Sequence, residues 1–375
     1  MQKVLVLVFS ELKYDARVTR QIRWLTEQYD VTVACFEGRD DLGEVRFEEY
    51  PMTPLNLWRK LLLAGALFFR FYGLANRLQH GYYRQLKHLK DFDYIVANDV
   101  ETLPLAFQLS SNHQVIFDAH EYAPRHFEDK KWWRLLFAPW YHHLCKTYIP
   151  KVIGMTTVSD GLAQAYEENY GYKPYVTTNA TRFYALQPKE VSKPIKLVHH
   201  GIINTSRKIE NMIEMMKILG DDYTLDLILM TPEYASKATQ EYFERLKTAI
   251  DNESNVTILP ALNNEEIVPA INHYDIGLFL LEPVNFNYTY TLPNKLYDFI
   301  QARLAIAIGP SVEMAKVVRQ YDLGVVSKSF EPQELAKEIE RLSVEEIYGF
   351  KQNAHKHAQS LSEEENKATF LNLFK

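Results

Sequence analysis

Several things are scarce in this sequence, and each scarcity removes a class of protein. Cysteine occurs only at Cys35 and Cys145, which gives no disulfide framework and fits a reducing cytoplasm. No glycine precedes Gly38, so the first strand-to-helix turn lacks the Gly-x-Gly-x-x-Gly fingerprint, which argues against a nicotinamide dehydrogenase. No apolar run reaches the roughly 18 residues of a spanning helix, and residues 4–9 are too short for a signal peptide. The net charge of −6 gives no reason to expect a nucleic-acid partner. Metal-ligand spacing is also missing. His142-His143 and His199-His200 are adjacent pairs, whose side chains diverge on a strand and stand about 100° apart on a helix. Asp91-Phe92-Asp93 precedes a strand instead of following it and reads as a turn.

Acidic residues are absent from two whole stretches. From 51 to 90 there is no Asp or Glu, yet Arg59, Lys60, Arg70, Arg77, Arg84, Lys87 and Lys90 lie there. At about 100° per residue, Arg59, Arg70, Arg77 and Arg84 would share a narrow stripe of one helix, with large apolar residues covering much of the rest. The stretch 130–159 is likewise acid-free and opens KKWWRLLFAPWY. Basic charge beside Trp132, Trp133 and Trp140 matches what an anionic membrane surface attracts, so 57–90 and 130–146 are expected to touch one peripherally. Core helices with solvated basic edges are the competing reading.

What is present is ordinary for a soluble protein. With 375 residues, 47% hydrophobic and 24% charged, the chain can bury a large core and reads as two domains. Residues 4–9 form a first strand, and Val18, Ile22 and Leu25 keep helical spacing behind a capping Asp15. A second strand follows at 31–35. Strands at 94–97 and 115–117 run into Asn98-Asp99 and Asp118-Ala119-His120-Glu121. In an open parallel sheet these loops would converge with the Asp15 loop beyond the carboxyl ends of the strands, although each cluster alone is equally a turn or a cap. Residues 187–196, polar with two prolines, read as a linker. The division expected is 1–186, linker 187–196, a second domain over 197–350, and a helical tail 351–375 crossing back onto the first.

In the second half, a strand at 197–200 ends at Gly201, where a ligand can approach the backbone, and Arg207 follows with two-pronged capacity for phosphate oxygens. A buried strand at 276–281 leads by a polar loop to Pro293-Asn294-Lys295-Leu296-Tyr297-Asp298. Pro293 suits a first helical turn, and the helix start, with the charge of Lys295, makes an anion site. Asn294 and Asp298 share one face, while Leu296, Phe299 and Ile300 can anchor another.

That hexapeptide resembles the P-N-K-L-x-E-Y signature of retaining GT-B glycosyltransferases, in particular glycosyltransferase family four. Asp15-Ala16-Arg17-Val18 resembles the D-x-R-V entry to the first helix in part of that group, and Asp118 to Glu121 resembles its D-x-H-E segment. Thr157-Val158-Ser159-Asp160 and Thr178-Asn179-Ala180 resemble segments that close its first domain. Gly201 to Lys208 resembles its G-x5-R-G diphosphate loop, with Lys208 in place of the usual glycine. Asp298 replaces the usual glutamate, and Tyr290 stands where many members carry a second one.

The resemblance implies an α/β chain of two Rossmann-like parallel-sheet domains facing each other, with the donor site in the cleft. It further implies a metal-independent, retaining hexosyltransferase that needs no cofactor beyond a UDP- or GDP-type nucleotide sugar. Gly201, Arg207, Lys208, Pro293, Asn294, Lys295, Leu296 and Asp298 would hold the donor. His120, Asp99 and Glu121 would form the catalytic side, with Asp15 and Arg17 toward the acceptor. The acceptor expected is a glycan or lipid-linked glycan of an envelope polysaccharide, at the inner face of a membrane. A non-catalytic binding subunit and a nucleotide-sugar epimerase of the same fold are the alternatives.

Overall fold

The computed structural model of the chain describes residues 1–52, 55–231, 236–251 and 253–374. The last residue of the expected tail, Lys375, lies outside them. The chain divides into two compact units. One comprises 1–178 with 285–287 and 366–375, and the other 179–284 with 288–365.

In the first unit seven strands form one sheet among the described residues: β1 (Lys3–Leu7), β2 (Asp30–Cys35), β3 (Arg46–Glu49), β4 (Tyr94–Asn98), β5 (Val115–Ala119), β6 (Gly154–Thr157) and β7 (Tyr175–Val176), ordered 3-2-1-4-5-6-7. Every pairing is parallel, and β1 and β5 are buried along nearly all their length, as Val- and Ile-rich strands covered on both faces must be. Helices α1 (Ala16–Thr26), α2 (Leu57–Phe68), α3 (Tyr72–Gln79), α4 (Tyr83–Leu86), α5 (Leu103–Leu109), α6 (Lys131–Tyr148) and α7 (Asp160–Tyr170) belong to this unit. The Asp15 side chain accepts from Val18 N and caps α1, as the sequence indicates.

The single helix expected across the basic stretch is not formed. Phe69, Arg70 and Phe71 break it between α2 and α3, with Arg70 at φ 61°, and α3 ends at Gln79 before α4 begins. Arg59, Arg70, Arg77 and Arg84 therefore sit on different elements and share no stripe. The apolar face buried by each short helix outweighs the continuity that the arginine spacing implies.

The second unit repeats the architecture with β8 (Ile195–Ile202), β9 (Tyr223–Met230), β10 (Val256–Pro260), β11 (Ile276–Phe279), β12 (Ala305–Ile308) and β13 (Gly324–Val326), all parallel and ordered 10-9-8-11-12-13. Strand β8 runs through Gly201 to Ile202, beyond the end expected for it. Its helices include α8 (Glu210–Leu219), α9 (Lys237–Ile250), α10 (Asn264–Ile271), the short α11 (Phe286–Thr289) that begins in the first unit, and α12 (Asn294–Gln301). Helices α13 (Val312–Gln320), α14 (Pro332–Glu340) and α15 (Val344–His357) follow, and α16 (Glu363–Leu371) carries the chain back to the first unit. Helix α12 seats directly on β11, because a Cβ at Gly277 would lie 2.3 Å from the Phe299 ring.

Residues 187–196 run inside the second unit. The Ser192 and Lys196 backbone amides donate to the buried Asp275 carboxylate, which also pairs with fully buried Lys351 at 3.1 Å. From 366 onward the tail lies in the first unit, where Phe370 and Phe374 are buried beside Trp24, Tyr29 and Tyr94.

Candidate functional site

Each sheet reverses its strand order once, between β1 and β4 in the first unit and between β8 and β11 in the second. Ligands of open parallel sheets bind beyond the carboxyl ends of strands at such a switch point. Both units place their polar clusters there.

In the first unit the centre is Asp118, fully buried at the end of β5. Arg17 grips it in two places, Nε to Oδ2 at 2.7 Å and Nη2 to Oδ1 at 2.6 Å, and Thr156 donates at 2.5 Å. Gln21 adds a further short hydrogen bond. The remaining Arg17 donors reach the Thr177 carbonyl and hydroxyl, both at 2.7 Å. Arg17 is thus a buried strut that fixes Asp118, not a group held out toward an acceptor.

His120 lies between two carboxylates. Its Nε2 is 3.2 Å from Asp118 Oδ2 and 3.2 Å from Asn98 Oδ1, and its Nδ1 is 3.4 Å from Asp99 Oδ2. The His120 backbone N–H also donates to Asp99 Oδ1 at 3.2 Å. Burial opposes charge on the ring, but Asp99 and Asp118 outweigh it, and the His120 pKa is pushed up to about 9. Burial raises the Asp118 pKa, but Arg17 first and His120 second outweigh it and hold it well below the ordinary carboxylate range. Asp99 adopts φ 62° with ψ 157°, a backbone conformation that residues with a side chain rarely occupy. Asp15, whose Oδ2 accepts from Ser10, adds negative charge near His120.

Glu121 points elsewhere. Its carboxylate accepts from Asn287 Nδ2 at 3.1 Å and lies 3.1 Å from His126 Nδ1. Asn287 also accepts from Tyr122 N through its side-chain carbonyl at 2.8 Å, so both fix the loop after β5. Asp99, His120 and the Asp15 loop come together, while Glu121, whose charge acts on Asp99, makes its hydrogen bond to Asn287 instead of to that cluster. Asp118, central to the cluster, opens the Asp118-Ala119-His120-Glu121 segment but carries no assigned role in the sequence reading; its place within β5, two residues before His120, is the signal that marks it.

In the second unit the site is built around Gly201, at φ 146°. A Cβ there would lie 3.0 Å from Arg207 Nη1 and 3.1 Å from Lys295 Nζ, so two cations flank the one position on β8 that carries no side chain. Lys295 is buried on α12, with its ammonium 4.0 Å above the Phe279 ring and 3.3 Å from His199 Nε2. Among the described residues no carboxylate lies within ion-pair distance of Lys295 or Arg207. Burial first, and Arg207 second, hold the Lys295 pKa well below its ordinary value, against the pull of Asp298. Burial and Lys295 likewise hold His199 and His200 neutral, well below the usual imidazole range. His200 Nε2 is buried without a hydrogen bond among the described residues, 3.5 Å from Asp298 Oδ2.

The remaining expected donor residues divide. Lys208 pairs with Glu282 at 2.5 Å, and Asn211 supports the same carboxylate, so its ammonium is engaged. Its φ of 46° shows why a glycine suits this position. Pro293 is the residue before α12, not within its first turn. Leu296 is buried as an anchor, Asp298 is buried against His200, and Asn294 is exposed. The pair His199-His200, discounted from sequence as divergent, indeed diverges. Even so, both rings flank the cation cluster, and their place immediately before Gly201 is the signal that was available. Among the described residues no group of His, Cys, Asp and Glu could hold a metal ion, and no helix is long and apolar enough to cross a membrane.

No protein-family model and no curated protein matches the chain. Solved structures match it over its whole length. Sucrose-phosphate synthase from Thermosynechococcus elongatus aligns with a TM-score of 0.74 at 13% identity, covering 100% of this chain and 98% of that one. A UDP-forming α,α-trehalose-phosphate synthase from Burkholderia vietnamiensis gives 0.70 at 10% identity, covering 100% and 99%. A structure from E. coli, described as trehalose-6-phosphate bound with UDP-2-fluoro glucose, gives 0.72 at 12%, covering 100% and 99%. At such identities the likeness is one of fold. The chain has the architecture of GT-B glycosyltransferases, two parallel-sheet α/β domains.

Proposed function

We propose that this chain is a metal-independent, retaining hexosyltransferase that moves a sugar from a nucleotide diphosphate sugar to a glycan or lipid-linked glycan in envelope polysaccharide synthesis. The observation that carries the reading is the pair of cations beside Gly201. Among the described residues the buried Lys295 ammonium has an imidazole nitrogen as its hydrogen-bond partner and a phenyl face beneath it, a costly arrangement that becomes favourable when a dianionic ligand arrives. Breaking the bond between sugar and diphosphate leaves negative charge on the departing diphosphate. Lys295, Arg207 and the start of α12 would stabilise that charge electrostatically.

In the first unit, His120 would act as a charged, positioning group and not as general base. Both of its ring nitrogens face acceptors, and its raised pKa keeps it protonated at neutral pH. Asp99, half exposed, is the member of that cluster that an acceptor hydroxyl would meet. The fold shared with enzymes described as UDP-forming supports a UDP-type donor. The basic aromatic stretches 57–90 and 130–146 support an acceptor at the inner face of a membrane.

Thermal unfolding with UDP, GDP, CDP and their sugar conjugates tests the donor reading. A nucleotide at about 100 times its dissociation constant adds roughly 2.7 kcal/mol, and the gain should vanish in Arg207→Ala and Lys295→Ala. No shift with any nucleotide would overturn the transferase reading. A shift without diphosphate release to any acceptor would favour a binding subunit.

A further inference from the structure

Helix α2 is apolar on two opposite faces. Leu63, Ala66 and Leu67 are buried, whereas Trp58, Leu61, Leu62 and Phe68 are between 56 and 76% exposed. Trp58, Leu61 and Leu62 stand at i, i+3 and i+4, and Phe68 lies two turns beyond Leu61, so the four fall on one side of the helix, where a helix facing water carries charge. The stripe runs into the turn that breaks the expected long helix, and there Phe69 and Phe71 are 67 and 63% exposed. The ring centroids of Phe68 and Phe69 are 5.2 Å apart and those of Phe69 and Phe71 6.4 Å, so the three make one aromatic cap around exposed Arg70. On α6, which packs against α2, Trp132 is 58% exposed as well.

Charge identifies what covers this surface. Arg70 stands between Phe69 and Phe71 in the turn, Lys60 is exposed on α2, and no acid occurs anywhere from 51 to 90. A second copy of the chain would set these cations against one another. A protein with an acidic face would satisfy the cations but leave the carbon stripe in water. An anionic bilayer offers phosphate and acyl carbon in adjacent layers.

We propose that the turn between α2 and α3 is a membrane-entering tip, with Phe68, Phe69 and Phe71 in the acyl boundary of an anionic bilayer and Arg70 at the phosphates. Entry is driven by aromatic burial, with the cations selecting the lipid. The inference rests on this surface alone and is independent of the transfer reaction. The full chain should sediment with vesicles of phosphatidylcholine mixed with phosphatidylglycerol. The variant Phe68→Ser/Phe69→Ser/Phe71→Ser should partition on the order of a hundredfold more weakly, as expected for losing three partly inserted rings. These side chains are exposed, so the variant should melt like the wild type. As a second readout, Leu62→Cys carrying an environment-sensitive dye should shift to the blue with the mixed vesicles, since Cys35 and Cys145 are buried. A wild type that stays in the supernatant, or a triple variant that partitions like it, would overturn the tip. So would lipid-free dimerisation that the triple variant abolishes, since that would assign the surface to a second copy.

Discussion

His199 Nε2 lies 3.3 Å from Lys295 Nζ, while its Nδ1 lies 2.9 Å from the Leu278 carbonyl. A carbonyl only accepts, so Nδ1 carries the proton and Nε2 offers its lone pair to the ammonium. The tautomer is set by β11, and through it the direction of Lys295. His199→Leu should therefore weaken nucleoside diphosphate binding by about tenfold, the worth of one hydrogen bond to a charged group, while His199→Gln, which keeps an acceptor, should lose less. Calorimetric titration with the nucleotide that gives the largest thermal shift measures both. Equal losses would show that the ring only fills space.

Gly201→Ala probes the same site by sterics. The new Cβ would stand 3.0 Å from Arg207 Nη1 and 3.1 Å from Lys295 Nζ, at a φ of 146° that alanine resists. Stability should fall by about 1–3 kcal/mol, and nucleotide affinity by more than that strain alone implies, because both cations are pushed out of line. Urea unfolding with and without nucleotide separates the two effects.

The sheets and the local motifs were legible because strand burial and helix capping are local properties. The apolar run before Lys295, the cap at Asp15 and the strand ends at Asn98 and Asp118 all follow from neighbours in sequence. What stayed hidden depends on distant partners. Arg17 resembles a ligand residue until Thr177, 160 positions away, is seen to take its donors. Lys208 resembles a phosphate contact until Glu282 is placed beside it. The broken helix at Phe69 to Phe71 was masked by an arginine spacing that happens to match a helical repeat.

The cluster at His120 predicts a pH dependence of stability. Its pKa rises from 6.5 to about 9 on folding, so the stabilisation is complete below pH 6.5 and is lost as pH climbs through about 9. The shift corresponds to about 3 kcal/mol at most, less what partial exposure of the ring screens. Urea unfolding at pH 6 and pH 9.5 should show a larger drop in the wild type than in His120→Asn. An identical drop in both would place the titrating group elsewhere.

The tail supplies the last prediction. Phe370, fully buried, packs at 5.8 Å from Trp24 and 5.5 Å from Phe374, and the Thr178 N–H donates to Asn366 Oδ1 at 2.9 Å. Residues 366–374 therefore complete the core of the first unit. Phe370→Ala removes a ring from a packed site and should cost about 3–5 kcal/mol. If the two units unfold separately, only the first should melt earlier, while a nucleotide-induced shift from the site proposed at Gly201 should persist. Differential scanning calorimetry resolves this. Loss of the nucleotide shift in Phe370→Ala would show that the tail supports the donor site too.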